Sequence, residues 1–184
     1  LRKDEALREA DERLAREPAR AEWLYLRGRL EEDPALQAEW FERSLRADPD
    51  LAWARYGLGI AALRAGDVAR GERLLEEALR AEPDSAEFLL GLAVAAHQAG
   101  RLEEARERTL RAAARFPADA RFARALVSIE LQAADRDAAF LQALRALQAE
   151  PLDPAIYDLL LDWLHADDRR IDLAALDHAL VRVS

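Results

Sequence analysis

The stretch "LRAEPDSAEF", Leu79 to Phe88, decides how the chain is read. A helix-favouring segment runs into one proline and two small polar residues, and a second helix-favouring segment follows. Pro83 lacks an N–H and its ring clashes with the preceding turn, so a helix arriving from Leu79 stops there. Asp84 and Glu87 have the spacing of a capping box, which would start the next helix. Near copies stand at "LRADPDLAW" (Leu45 to Trp53), "AARFPADARF" (Ala113 to Phe122) and "LQAEPLDPAIY" (Leu147 to Tyr157). Their prolines, Pro49, Pro83, Pro117 and Pro151, are each 34 residues apart. A joint that returns at such an interval marks a repeat array.

Other columns keep the same period. Leu24, Leu58, Leu92, Leu126 and Leu160 share one; Ala78, Ala112 and Ala146 share another, which Ser44 extends backwards. Asp33, Asp67 and Asp135 form a third, broken by Arg101. In the cleanest unit the spacing predicts one helix from about Ala52 to Leu63 and a second that runs to about Ala81. Gly66 suits the left-handed residue that ends the first, and Asp67 suits the N-cap of the second. Asp119 and Asp153 are comparable caps, the latter with Pro154 at the first helical position. Small residues fall where paired helices would cross: Gly59 with Gly71, Ala93 with Ala105, Val127 with Ala139. A short hairpin cannot bury its apolar face alone, so neighbours must stack.

Composition agrees. The chain is 51% hydrophobic and 34% charged, rich in Ala, Leu, Arg and Glu, and holds seven Gly and seven Pro. That mixture suits helices, and alternating β-branched runs are absent. The predicted fold class is all-α, an α-solenoid of about five antiparallel helix-turn-helix hairpins. A net charge of −9 disfavours nucleic acid, whose phosphates need cations. With no cysteine there is no disulfide, thiolate nucleophile or Cys-ligated metal. The apolar run "FLLGLAVAA", Phe88 to Ala96, is too short to span a bilayer. Lys3 is the single lysine and Asn is absent, a bias that points to a GC-rich bacterial genome, with loss of thermolabile residues as the second reading. The first residue is Leu1 rather than Met, which suggests a fragment or a processed chain. The compartment stays open, with the cytoplasm favoured over the periplasm.

On Leu58, Gly59, Gly71, Leu75, Ala78 and Pro83, and on Leu92, Ala93, Ala105, Ala112 and Pro117, the sequence resembles the tetratricopeptide repeat (TPR) family. The resemblance covers nearly the whole chain. It divides into a leading second helix at 1–17, full units at 18–51, 52–85, 86–119 and 120–153, and a degenerate or capping pair at 154–184. Tyr25 and Gln37 fall in columns that should be small, which suggests a register slip of two residues in the first full unit. Thr109 and Ala143 stand where a bulky residue is expected, and "HADDRRID" replaces a glycine turn.

The resemblance implies a protein-interaction scaffold that holds a peptide along a concave face made by the first helices. It places Trp23 and Leu26, then Trp53, Tyr56, Gly57, Ile60 and Arg64, on that face. Glu87, Leu90, Gly91, Val94, His97 and Gln98 follow, then Arg121, Arg124, Ser128 and Gln132, then Asp158, Asp162 and His165. Such a face would be aromatic and aliphatic at first, then cationic, then anionic. Gly57 and Gly91 would leave hollows beside Tyr56 and Leu90. An amphipathic helix or an apolar extended peptide fits such a surface. The competing reading is that these side chains pack against neighbouring repeats, or that an adjacent domain or the chain's own tail fills the groove. The carboxylate clamp of chaperone-tail binders is disfavoured, since it needs Asn and Lys. Arg121 and Arg124 could hold a carboxylate or pair with Asp158 and Asp162. The arginines of "RLEEARERTLRAAARFPADARFAR" alternate with acids and read as a solvated face.

Nothing points to catalysis or to a cofactor. His97, His165 and His178 have no partner at metal-binding spacing. Ser85 reads as a helix-start residue, and none of Ser44, Ser85, Ser128 and Ser184 has a base beside it. Glu76 and Glu77 would solubilise an outer helix. The expected function is therefore a non-catalytic scaffold with a protein or peptide partner, without metal, nucleic acid or membrane span. The alternative is a regulatory or substrate-docking part of a larger bacterial glycosyl- or sulfotransferase, docked to a domain of its own chain. Self-association through end repeats is a third reading.

Overall fold

The computed structural model describes residues 2–149, with Pro154, Ile156 and Asp158 beyond them. Leu160, Asp162, His165, His178, Ser184 and the capping pair foreseen for 154–184 lie outside or largely outside the described residues. The described residues are helical, without strands: α1 (Arg2–Arg16), α2 (Ala21–Leu30), α3 (Pro34–Ala47), α4 (Ala52–Arg64), α5 (Val68–Ala81), α6 (Ala86–Gln98), α7 (Leu102–Arg115), α8 (Ala120–Gln132) and α9 (Arg136–Ala149). Two compact units form, Leu1–Gly100 and Arg101–Ser184. The all-α helical repeat read from the sequence is the observed fold.

Two turns alternate, and both follow from local chemistry. The proline joint is a β-turn with Pro in its second position, a place its fixed φ favours. Leu51 N–H donates to Asp48 O, Ser85 to Glu82 O and Asp119 to Phe116 O. The tight hairpin turn needs one left-handed residue. Gly66 takes it at φ +82°, Gly100 at +74° and Ala134 at +61°. The following amide then reaches back over the helix end: Asp67 N–H to Ala62 O and Asp135 N–H to Glu130 O, both 2.9 Å. Caps start most helices: Asp33 accepts from Ala35 and Leu36 N–H, Asp67 from Arg70 N–H, Asp135 from Ala138 N–H and Asp119 from Arg121 N–H. One cap is displaced by a residue. Ser85, in extended conformation, caps α6 by accepting from Phe88 N–H, so the Asp84–Glu87 box does not mark the helix start.

The columns are core. Leu24, Leu58, Leu92 and Leu126 are buried, as are Ser44, Ala78, Ala112 and Ala146. In unit 1 the helices close on glycine. A Cβ on Gly59 would lie 2.8 Å from Leu75 Cγ and 3.2 Å from Gly71 O, and one on Gly71 would lie 3.0 Å from Gly59 O. Only a missing side chain lets the two backbones approach this closely. Fully buried Phe88 closes the stack with Ala52 and Ala78; burying one such ring contributes about 2 kcal/mol. In unit 2 the core joins Val127, Ala143, Ala146 and Ile156.

The first helix of the first full unit, α2, is out of step by three residues rather than the two expected, while α3 keeps the 34-residue register. Pro18, Ala21, Tyr25 and Gly28 stand 31 residues before Pro49, Ala52, Tyr56 and Gly59, and Arg20 N–H closes the earlier joint on Glu17 O. α2 has ten residues against thirteen in α4. The Gln37 side-chain amide, in the column of Gly71, donates to Gly28 O at 3.2 Å. Gly28 therefore takes the crossing place, and Tyr25 is released to stand where Tyr56 stands in the next unit.

Candidate functional site

Within unit 1 the first helices α2, α4 and α6 touch in sequence. Each brings an aromatic or aliphatic side chain to the same row, because residues three and four apart share a helix face. The rings form a chain. Tyr25 lies 6.3 Å from Trp53, Trp53 lies 5.9 Å from Tyr56 edge-on, and both rings rest on buried Phe88 at 4.8 and 5.1 Å. Tyr25 also rests on Phe41 at 5.7 Å. Such offset and edge contacts hold ring orientation beyond what burial alone does. Ile60, Val94 and Tyr56 pack on the core of Leu63, Leu75, Leu92 and Ala95, and stay half-buried. Leu90 is half-buried on the same helix as Val94.

The hollows expected beside Gly57 and Gly91 are filled. A Cβ on Gly57 would meet three Phe41 ring atoms at 2.7–2.8 Å; one on Gly91 would meet Leu75 at 3.0 Å and Tyr56 at 3.2 Å. The glycines admit side chains of this protein, not of a guest. What they supply is a firm floor under the rings.

Polar groups border the row. The Arg29 guanidinium sits 5.9 Å from the Tyr25 ring centre. Burial raises the Tyr25 hydroxyl above its ordinary pKa, and Arg29 pulls the other way. The exposed Arg64 donates to Gln37 Oε1 at 3.2 Å. His97 lies in the last turn of α6, and its Nε2 is buried without a hydrogen-bond partner among the described residues.

The remaining candidates fall elsewhere. Trp23 lies under Arg13 of α1, 5.2 Å from guanidinium to ring centre, and is not part of the ring chain. Arg121, Arg124 and Ser128 belong to α8 of unit 2. Arg121 grips the cap of its own helix, with Nη2 at 2.6 Å from Asp119 Oδ2 and Nε at 2.9 Å from Oδ1. Asp119 is held below the ordinary carboxylate pKa, chiefly by that bond. Ser128 is exposed. Asp158 is exposed, while Asp162 and His165 lie outside the described residues.

Residues 56–120 match the family described as "Tetratricopeptide repeat". The chain carries tetratricopeptide repeats there. No curated protein sequence matches it. Its fold is similar to TTC0263, a thermophilic TPR protein in Thermus thermophilus, at 21% identity and TM-score 0.78 over 89% of this chain and 91% of that one. PilW, a type IV pilus biogenesis factor, is 24% identical with TM-score 0.70 over 85% and 74%. YrrB, a TPR protein with an unusual peptide-binding site, is 18% identical with TM-score 0.63 over 86% and 83%.

Two features of this TPR protein went unread in its sequence. Tyr25 joins the ring chain, and the signal was its spacing from Tyr56 as part of a shared Ala-x3-Tyr-x2-Gly pattern. The second is a tie between α7 and α8. Arg106 clamps the buried Glu130 through Nε at 2.9 Å and through Nη2, and also holds Glu103 at 2.9 Å. Arg108 and Arg111 pair along the helix with Glu104 and Glu107. Among the described residues no cluster of His, Asp and Glu could hold a metal, and no helix is long and apolar enough to cross a membrane.

Proposed function

We propose that this TPR protein is a non-catalytic interaction scaffold that takes a peptide or protein segment on the α2–α4–α6 face of unit 1. One observation carries the reading: the half-buried chain Tyr25–Trp53–Tyr56, continued by Ile60 and Val94, on the three first helices α2, α4 and α6. Half-exposed rings on a rigid floor are the anchors that interfaces use, because few rotors have to be frozen when a partner lands. A peptide-binding site on the same fold in YrrB supports the reading.

The test is peptide selection on the whole chain, followed by binding to variants. Peptides chosen on the unaltered protein should lose at least tenfold in affinity on Tyr56→Ala and on Ile60→Glu, with folding checked by circular dichroism. Ile60→Glu serves because Tyr56 also stacks on the core Phe88. Selected peptides that bind both variants as tightly as the parent place the site elsewhere.

A further inference from the structure

Equivalent joints in the two units differ in what fills them. Between α3 and α4 the place is taken by Arg55. Its guanidinium donates to the Pro49 carbonyl and lies 3.7 Å from Asp50 Oδ1 and 3.7 Å from Glu77 Oε2. Two periods on, the same four positions are Ala123, Pro117, Ala118 and Arg145. All four line a cleft of about 530 Å³ walled by α7, α8 and α9, to which Leu110 and Phe116 add apolar surface.

Two substitutions explain it. An alanine replaces the arginine that would fill the space, and an arginine replaces the glutamate that would pair with it. The charge at this place is therefore reversed. Arg145 Nη1 donates to Gln142 Oε1 at 3.3 Å and, among the described residues, has no carboxylate partner. Asp119, the acid in the lining, is already engaged by Arg121. The Pro117 carbonyl, whose counterpart accepts from Arg55, has no donor among the described residues. A chain of net charge −9 thus holds an apolar cleft whose charge left unmatched among the described residues is positive.

We propose that this cleft is a second binding site, for a partner's peptide that presents a bulky apolar side chain next to a carboxylate. The apolar group enters between Leu110 and Phe116. The carboxylate pairs with Arg145. A peptide N–H donates to the Pro117 carbonyl, which sets a polypeptide apart from a simple carboxylate. The guest supplies the three groups that Arg55 and its partners supply in unit 1, with the charges exchanged.

Fluorescence anisotropy of the full chain with the labelled peptide Gly-Ser-Phe-Glu-Ser-Gly, against its Phe-Gln counterpart, tests this. The Glu peptide should bind saturably and several-fold more tightly than the Gln peptide. Arg145→Gln, at an exposed position, should weaken it about tenfold and erase the difference. Ala123→Arg combined with Arg145→Glu rebuilds the unit 1 arrangement and should abolish binding. Tyr56→Ala should leave binding unchanged, which separates this cleft from the α2–α4–α6 face. Absence of saturable binding, equal affinity for the two peptides, or a site that survives Arg145→Gln overturns the proposal.

Discussion

The two units reach one helical architecture by different packing. All seven glycines lie in unit 1, and unit 2 has none. Unit 1 cuts notches into its helices and presses large side chains into them: Phe41 against Gly28 and Gly57, Leu75 against Gly59 and Gly91. In unit 2 the same column holds Thr109 and Ala143, both fully buried. There the Thr109 hydroxyl donates to Ala105 O at 2.7 Å, and the tie across helices is ionic, Arg106 to Glu130. The repeat thus specifies where helices cross. It leaves open whether the crossing is held by shape or by charge. Unit 1 commits its large residues to a stiff apolar floor, and there the ring chain lies.

The contrast breaks first at the bulky column. Phe41 is 3% exposed and fills two notches at once. Phe41→Ala should lower unfolding free energy by about 3–5 kcal/mol, because the glycines beside it cannot close the void. Thr109→Ala should cost less, about 1–2 kcal/mol, since the Ala105 carbonyl belongs to a helix and the lost volume is small. Urea denaturation of both variants checks the ordering. Equal costs would mean that shape matters no more in unit 1 than in unit 2.

Next in size is the ionic tie. The Glu130 side chain is 5% exposed and that of Arg106 is 27%. Glu130→Ala strands a guanidinium that still reaches water and Glu103, so the cost should be about 2 kcal/mol, below that of a fully desolvated charge. A double-mutant cycle with Arg106→Leu isolates the coupling. Near-zero coupling would reduce the pair to surface charge. The corresponding position in α4 is Ala62, so unit 1 has nothing to lose there.

A smaller effect separates the hairpin turns. Ala134 holds a left-handed backbone at φ +61° that Gly66 and Gly100 adopt without a side chain. Ala134→Gly should stabilise unit 2 and Gly66→Ala should destabilise unit 1, each by about 1 kcal/mol. Thermal melts with opposite shifts are the expected pair of results. Shifts of the same sign would mean that contacts, not φ, set the cost.

Much of this was legible in the sequence, for local reasons. Pro83 stops a helix, Gly66 turns it and Asp67 restarts it through bonds that span at most five residues. The column Leu24, Leu58, Leu92, Leu126 is buried because period and core face coincide. That same column hid the displacement of α2, since Leu24 is buried whether or not its helix has slipped. Tyr25 and Gln37 in small-residue columns signal a slip, and the 31-residue match of Tyr25 and Gly28 to Tyr56 and Gly59 sets it at three residues. The hollows at Gly57 and Gly91 were misjudged because a helix column does not show which side chain of the next helix arrives. Glu130 resembled one more solvated acid in an acidic chain. Its partner lies 24 residues earlier on another helix, beyond any local rule.

The finest difference between the units is one of pH. The residue before α8 is Asp119, and its counterpart before α4 is Leu51, which cannot titrate. The Asp119 carboxylate accepts from Arg121 Nε and Nη2 and from the Arg121 backbone N–H at 3.0 Å. These bonds, the side-chain one foremost, favour the charged form and lower its pKa. An unfolded aspartate titrates near about 4. A group depressed below that value stabilises the fold above about pH 4, and its contribution is lost as pH falls through the folded value. The first turn of α8 should therefore loosen on acidification while the first turn of α4 does not loosen from this cause. Asp119→Asn keeps a cap acceptor and removes the titration, so it should flatten the loss seen in α8. Carboxyl carbon shifts of Asp119 followed from pH 6 to 2 give its pKa directly. A value at or above that of a free aspartate would show that Arg121 does not hold the cap, and the pH asymmetry between the units would go with it.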